Sequence, residues 1–77
     1  MEDLLLVIAR ELVTKPEKIH IDVDDTARDG LIVYRLQVDE TDMGRIIGKQ
    51  GRIAKSIRQI IRAAAMKKNI KVAVEIG

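Results

Sequence analysis

The run Asp42-Met43-Gly44-Arg45-Ile46-Ile47-Gly48-Lys49-Gln50-Gly51-Arg52-Ile53-Ala54-Lys55-Ser56-Ile57-Arg58 decides the fold. It sets two glycines, Gly48 and Gly51, between segments that both read as helix. Upstream, Thr41 is suited to cap a short helix and Asp42 is favourable in its first turn; that helix is expected to run through Met43-Gly44-Arg45-Ile46-Ile47 until Gly48 breaks it. Downstream, Ile53, Ile57, Ile60, Ile61 and Ala64 recur at helical spacing and predict a long helix with one buried face. Arg52, Lys55, Arg58 and Arg62 fall in a stripe nearly opposite the isoleucines. One face packs and the other carries charge.

Moving outward, Leu31 to Val38 reads as a strand with Ile32, Tyr34, Leu36 and Val38 on one face and Val33, Arg35 and Gln37 on the other. Before it, Ile19, Ile21 and Val23 alternate with His20, Asp22 and Asp24, the period of a strand with one wet face. The polar segment from Asp25 to Gly30 is short enough to join the two as an antiparallel hairpin. Ahead of the hairpin, Leu4, Val7, Ile8 and Leu12 stripe a helix that is expected to reach about Thr14, because the residue before Pro16 avoids the α region. Ile70, Val72, Val74 and Ile76 alternate as a closing strand. The order α-β-β-α-α-β predicts an α+β domain, a three-stranded mixed sheet with helices packed on one face. Its second and third strands, joined through two helices, should run parallel with a right-handed crossover.

Composition bounds the function. A chain of 77 residues is one small domain, and 12 Ile, 6 Leu and 7 Val suffice for one compact core. With no cysteine, disulfides and thiolate metal sites are excluded, and a reducing cytoplasm fits best. The acidic start Met1-Glu2-Asp3 and the short apolar run from Leu4 to Ala9 read as neither export signal nor membrane span. Tyr34 is the one aromatic residue, which disfavours single-strand binders built on aromatic stacking platforms.

Charge is divided unevenly. Residues 1–42 hold five bases and eleven acids, a net of −6, whereas the remainder holds nine bases and the single acid Glu75, a net of +8. Such asymmetry points to a polyanionic partner, nucleic acid first, although a charge run alone also describes a solvated helix face.

The loop Gly48-Lys49-Gln50-Gly51 is where ligand chemistry concentrates. Glycines there permit a tight turn between helices and let a ligand's backbone approach closely. A helix N-terminus follows, which favours phosphate, and Lys49 and Arg52 add positive charge. Other glycine motifs fail: the run from Gly44 is one residue short of a nucleotide-binding P-loop and has Gln50 in place of the magnesium-binding hydroxyl. The dinucleotide fingerprint requires a preceding strand, and here a helix precedes. A purely structural turn remains the plain alternative for so short a pattern.

The octet Ile46-Ile47-Gly48-Lys49-Gln50-Gly51-Arg52-Ile53 resembles the signature of the KH domain, a nucleic-acid-binding fold whose glycine loop joins two helices and clamps the backbone of about four nucleotides. The element order looks like the type II arrangement. The longer run from Asp42 to Arg58 is similar to the bacterial single-domain KH proteins of the KhpA type, and the likeness extends over essentially the whole chain. It implies an RNA-binding set of Arg45, Ile46, Ile47, Gly48, Lys49, Gln50, Gly51, Arg52, Ile53, Ala54 and Lys55. Within that set Gly48 to Gly51 would hold phosphates, while Ile46, Ile47, Ile53 and Ala54 would line an aliphatic floor for the bases. The resemblance further implies single-stranded RNA with little sequence preference, a role as RNA chaperone or post-transcriptional regulator, a homodimer or a heterodimer with a KhpB/Jag-like KH protein, and a link to cell shape and cell-wall control. The segment from Asp25 to Gly30 is the variable region.

The remaining candidates are weaker. His20, Asp22 and Asp24 share a strand face, but three neighbours on one flat strand rarely converge on a metal. With one histidine, no cysteine and no hydroxyl at a recognisable spacing from a base, no enzyme and no cofactor is expected. Ala63-Ala64-Ala65-Met66 reads as close-packed helix end rather than partner surface. Ile61 and Ala65 are expected towards an edge of the long helix that a dimer could cover. A protein-interaction module on the same scaffold and a single-stranded DNA binder are the competing readings.

Overall fold

The computed structural model describes residues 1–25 and 30–76, with Lys49 by its backbone alone, so most of the variable segment lies outside the described residues. Helix α1 (Glu2–Leu12) is followed by a 3-10 turn, η1 (Pro16–Lys18), strands β1 (His20–Asp24) and β2 (Leu31–Gln37), helical segment α2 (Glu40–Lys67) and strand β3 (Lys71–Ile76). Strand β2 is central: β1 pairs with it antiparallel and β3 parallel. The mixed sheet expected from the element order is the one observed.

Helix α1 ends two residues early, at Leu12 rather than Thr14. Val13 is already extended, and the next two amides, those of Thr14 and Lys15, donate to the Asp42 carboxylate instead of to α1 carbonyls. A side chain 28 positions away thus terminates the helix. The buried stripe is also rotated: Leu5 and Ala9 are fully covered, whereas Val7 is 56% exposed.

Segment α2 starts one residue before Thr41. Asp39 is its N-cap, with Oδ2 accepting from the Thr41 amide at 3.1 Å. Gly48 does not end the first arm. The turn comes at Gln50 and Gly51, whose φ values of 65° and 69° are left-handed and divide α2 into two arms. Two helices therefore flank the loop, as the sequence implies, with the break two residues later. The second arm closes on Asn69, at φ 59°, with the Ile70 amide donating back to the Ala65 carbonyl, a left-handed cap that Asn tolerates.

The core lies between the helices and one sheet face. Leu5, Ala9, Tyr34, Leu36, Ile46, Ala54, Ile57, Ile61 and Val74 make one buried cluster. On the opposite sheet face Arg35, Gln37, Lys71 and Glu75 are exposed, and Arg35 donates from Nε to Glu75 Oε2 at 3.0 Å. Ile61 and Ala65, expected at an uncovered edge, are 0% and 1% exposed; on the second arm it is Ile60 that is uncovered, at 47%. The second arm is rotated about its own axis relative to the expected stripe, so its buried residues are Ala54, Ile57, Ile61 and Ala65.

Candidate nucleic-acid interface

The site is built by the two arms of α2. Gly44 and Gly48, four residues apart on the first arm, lie on one helix face. A Cβ added to either would meet nothing within 4 Å. Together with Thr41, Arg45 and Ile53 they line an open groove beside the turn. The two loop glycines therefore differ in role: Gly51 supplies a left-handed backbone, and Gly48, at ordinary φ, supplies an open helix surface.

The eleven residues of the implied RNA-binding set do not share one fate. Arg45, Gly48 and Ile53 line the groove. Ile47 is 49% exposed, and Gln50, Arg52 and Lys55 are exposed. Gly51 is half-buried at the turn. Ile46 and Ala54 are core residues, 1% and 5% exposed, so neither can line the aliphatic floor expected of them; of the four aliphatic residues, Ile53 lines the groove and Ile47 is exposed. The Lys49 side chain lies outside the described residues. Thr41 and Gly44 escaped the sequence reading, although the Gly44-x-x-x-Gly48 spacing is a legible sign of a bare helix face.

The charged stripe runs along the second arm as expected. Arg52, Lys55, Arg58 and Arg62 are all exposed, and among the described residues no carboxylate pairs with them. Its far end reaches the sheet: Arg58 donates from Nε to the Val74 carbonyl at 3.3 Å, and Arg58 and Arg62 line a second depression with Val72, Ala73 and Val74 of the edge strand β3. This extension of the cationic track could not be read from sequence, because it depends on which strand edge the helix lies beside. Elsewhere, His20 Nε2 lies 3.0 Å from Asp22 Oδ1, and no metal-ligand cluster occurs among the described residues.

Asp42 is buried behind the groove, its side chain 1% exposed. Oδ1 accepts from the Thr14 amide at 3.0 Å and the Thr14 hydroxyl at 3.0 Å, and Oδ2 from the Lys15 amide at 3.2 Å. Arg45 Nη1 stands 3.5 Å from Oδ1. The Thr14 amide foremost, then the Thr14 hydroxyl, the Lys15 amide and Arg45, hold this carboxyl below its usual value of 3.8 against the opposing effect of burial. Between the unfolded value and the lower folded one, the unfolded chain binds more protons, so stability rises with pH across that window. The contribution is complete above pH 3.8 and is lost as pH falls through the folded value. Thermal melts from pH 7 to pH 2 should fall less steeply below pH 4 for Asp42→Asn than for the unaltered chain. Equal slopes would remove the assignment.

A helix, a hairpin, two helical arms about a glycine turn and a parallel closing strand, with cations beside the turn, define a KH domain of type II. The family model described as "KhpA/KhpB, KH domain" matches residues 2–76. The chain is 50% identical over 76 residues to a protein named "RNA-binding protein KhpA" from Clostridium perfringens, with 99% of each chain covered. Proteins of the same name from Listeria monocytogenes and Chlamydia trachomatis are 46% and 42% identical, covering 99% of this chain and 97% and 95% of theirs. The chain belongs to the KhpA/KhpB family of KH domains.

Proposed function

We propose that the protein binds single-stranded RNA at the glycine turn of α2, without catalysis, as an RNA chaperone or post-transcriptional regulator in the cytoplasm. The observation that carries this reading is the bare face of Gly44 and Gly48 beside a left-handed turn, from which leads a stripe of exposed cations that no carboxylate pairs with among the described residues. A polynucleotide backbone needs both features: glycines allow close approach, and the start of the second arm with Lys49, Arg52 and Lys55 offers positive potential to phosphates. Bases would then lie over Ile47 and Ile53, which require no aromatic partner. The names of the relatives support the same class of ligand.

Binding should weaken with salt, because cations that neutralise phosphates release counterions from the strand. For about three phosphate contacts on a single strand, log affinity against log salt should have a slope near −2. Fluorescence titration of a labelled oligoribonucleotide measures it, and a flat response overturns the electrostatic mechanism. Competition with a matched DNA strand separates RNA binding from single-stranded DNA binding.

We also propose that the apolar groove between α1 and α2 receives a second KH chain, either another copy or a KhpB-like partner. Val7 and Ile60, 56% and 47% exposed, line it with Ile8, Leu12, Ile53 and Ile57. Exposed aliphatics gathered in one groove are the pattern of a partner surface, and the family model spans both KhpA and KhpB. Light scattering should show self-association, or association with a KhpB-like chain, that Ile60→Asp abolishes. A monomer that ignores both partners up to millimolar concentration overturns it.

A further inference from the structure

Asp42 is not the cap of its own helix. The N-cap of α2 is already supplied by Asp39, and burying a charge costs several kcal/mol unless well-placed donors surround it. Yet Asp42 is the buried charged side chain among the described residues, and it faces two structures at once. Behind it, the amides of Thr14 and Lys15 and the Thr14 hydroxyl fix the carboxylate from three directions. In front, one turn along the helix, stands Arg45, whose side chain is 55% exposed and lines the groove with Gly44 and Gly48.

We propose that Asp42 is a positioning residue for RNA: fixed by Thr14 and Lys15, it holds one end of the Arg45 guanidinium and leaves the other donors facing the groove. The inference rests on the RNA-binding reading above. Arginine suits such a bridge because its planar fork offers donors in fixed directions, so one edge engages the carboxylate while another meets a phosphate or base edge. A free arginine on an exposed helix loses rotamer freedom when it binds; an arginine already held loses less. Gly44 and Gly48 help in the same way, since neither adds a side chain to the groove that Arg45 lines.

The sign of one substitution separates positioning from simple charge. Asp42→Asn removes a negative charge beside the groove, so electrostatics alone predicts tighter RNA binding. Positioning predicts weaker binding, by about three- to tenfold, and no further loss when the substitution is made on top of Arg45→Gln. The experiment is a double-mutant cycle with a labelled oligoribonucleotide, at a temperature where circular dichroism shows every variant folded. Arg45→Lys, an exposed change that keeps the charge but loses the fork, covers the case in which Asp42→Asn does not fold; it should weaken binding by a similar factor. Tighter binding of Asp42→Asn, an additive cycle, or unchanged affinity of Arg45→Lys overturns the proposal while leaving the RNA reading in place. Absence of RNA binding by the unaltered protein overturns both.

Discussion

Changing Lys49 and Gln50 together to Asp should abolish RNA binding, by about a hundredfold or more, and leave the melting curve where it is. The backbone explains the second half. Gln50 is exposed at φ 65°, a conformation that Asp adopts more readily than most residues, so the substitution suits the turn. Exposed substitutions away from caps and core shift stability by about 0.5 kcal/mol or less. The first half follows from charge. The turn goes from +1 to −2 at the start of the second arm, where phosphate is expected, and attraction becomes repulsion. Arg52 and Lys55 remain, so residual attraction at low salt is compatible with the model. Gel shift and circular dichroism on one preparation decide it. An unchanged melt with unchanged affinity means that the turn is structural only, and that the KH-type mechanism is absent.

Leu36→Ala should have the largest effect on stability. Leu36 is 0% exposed on the central strand, paired with Ile21 on one side and Ile76 on the other, so truncating it leaves a cavity inside the core. Truncating a buried leucine costs about 2–5 kcal/mol. A domain of 77 residues has about 4–12 kcal/mol in total. The melting temperature should fall by about 10–30 °C, and RNA binding should persist only where the variant is still folded. A fall of under 5 °C would show that β2 is not the centre of the core.

Much of this was legible in the chain. Alternation at Ile32, Tyr34, Leu36 and at Val72, Val74, Ile76 marks strands because side chains alternate between faces every residue. Three- and four-residue spacing likewise marks helices. The glycine spacing located the turn, and the charge asymmetry located the cationic face, since both are local properties of the chain.

What failed to be legible depends on long-range contacts. Helix α1 stops at Leu12 because Asp42, distant in sequence, takes the amides that would have prolonged it. Ile46 and Ala54 belong to the core and Ile60 to the surface because packing against the sheet and α1 selects which side of each arm is covered, and helical periodicity alone does not fix that rotation. Arg58 and Arg62 join the cationic track to β3 only once the parallel strand order sets that edge beside the helix. Sequence by itself determined the elements, their order, the glycine turn and the sign of its charge, because each is encoded within a few neighbouring residues. Tertiary structure alone decided which aliphatic side chains stay uncovered and which carboxylate stands behind Arg45, because those follow from how the arms pack, and packing is decided between residues far apart in the chain.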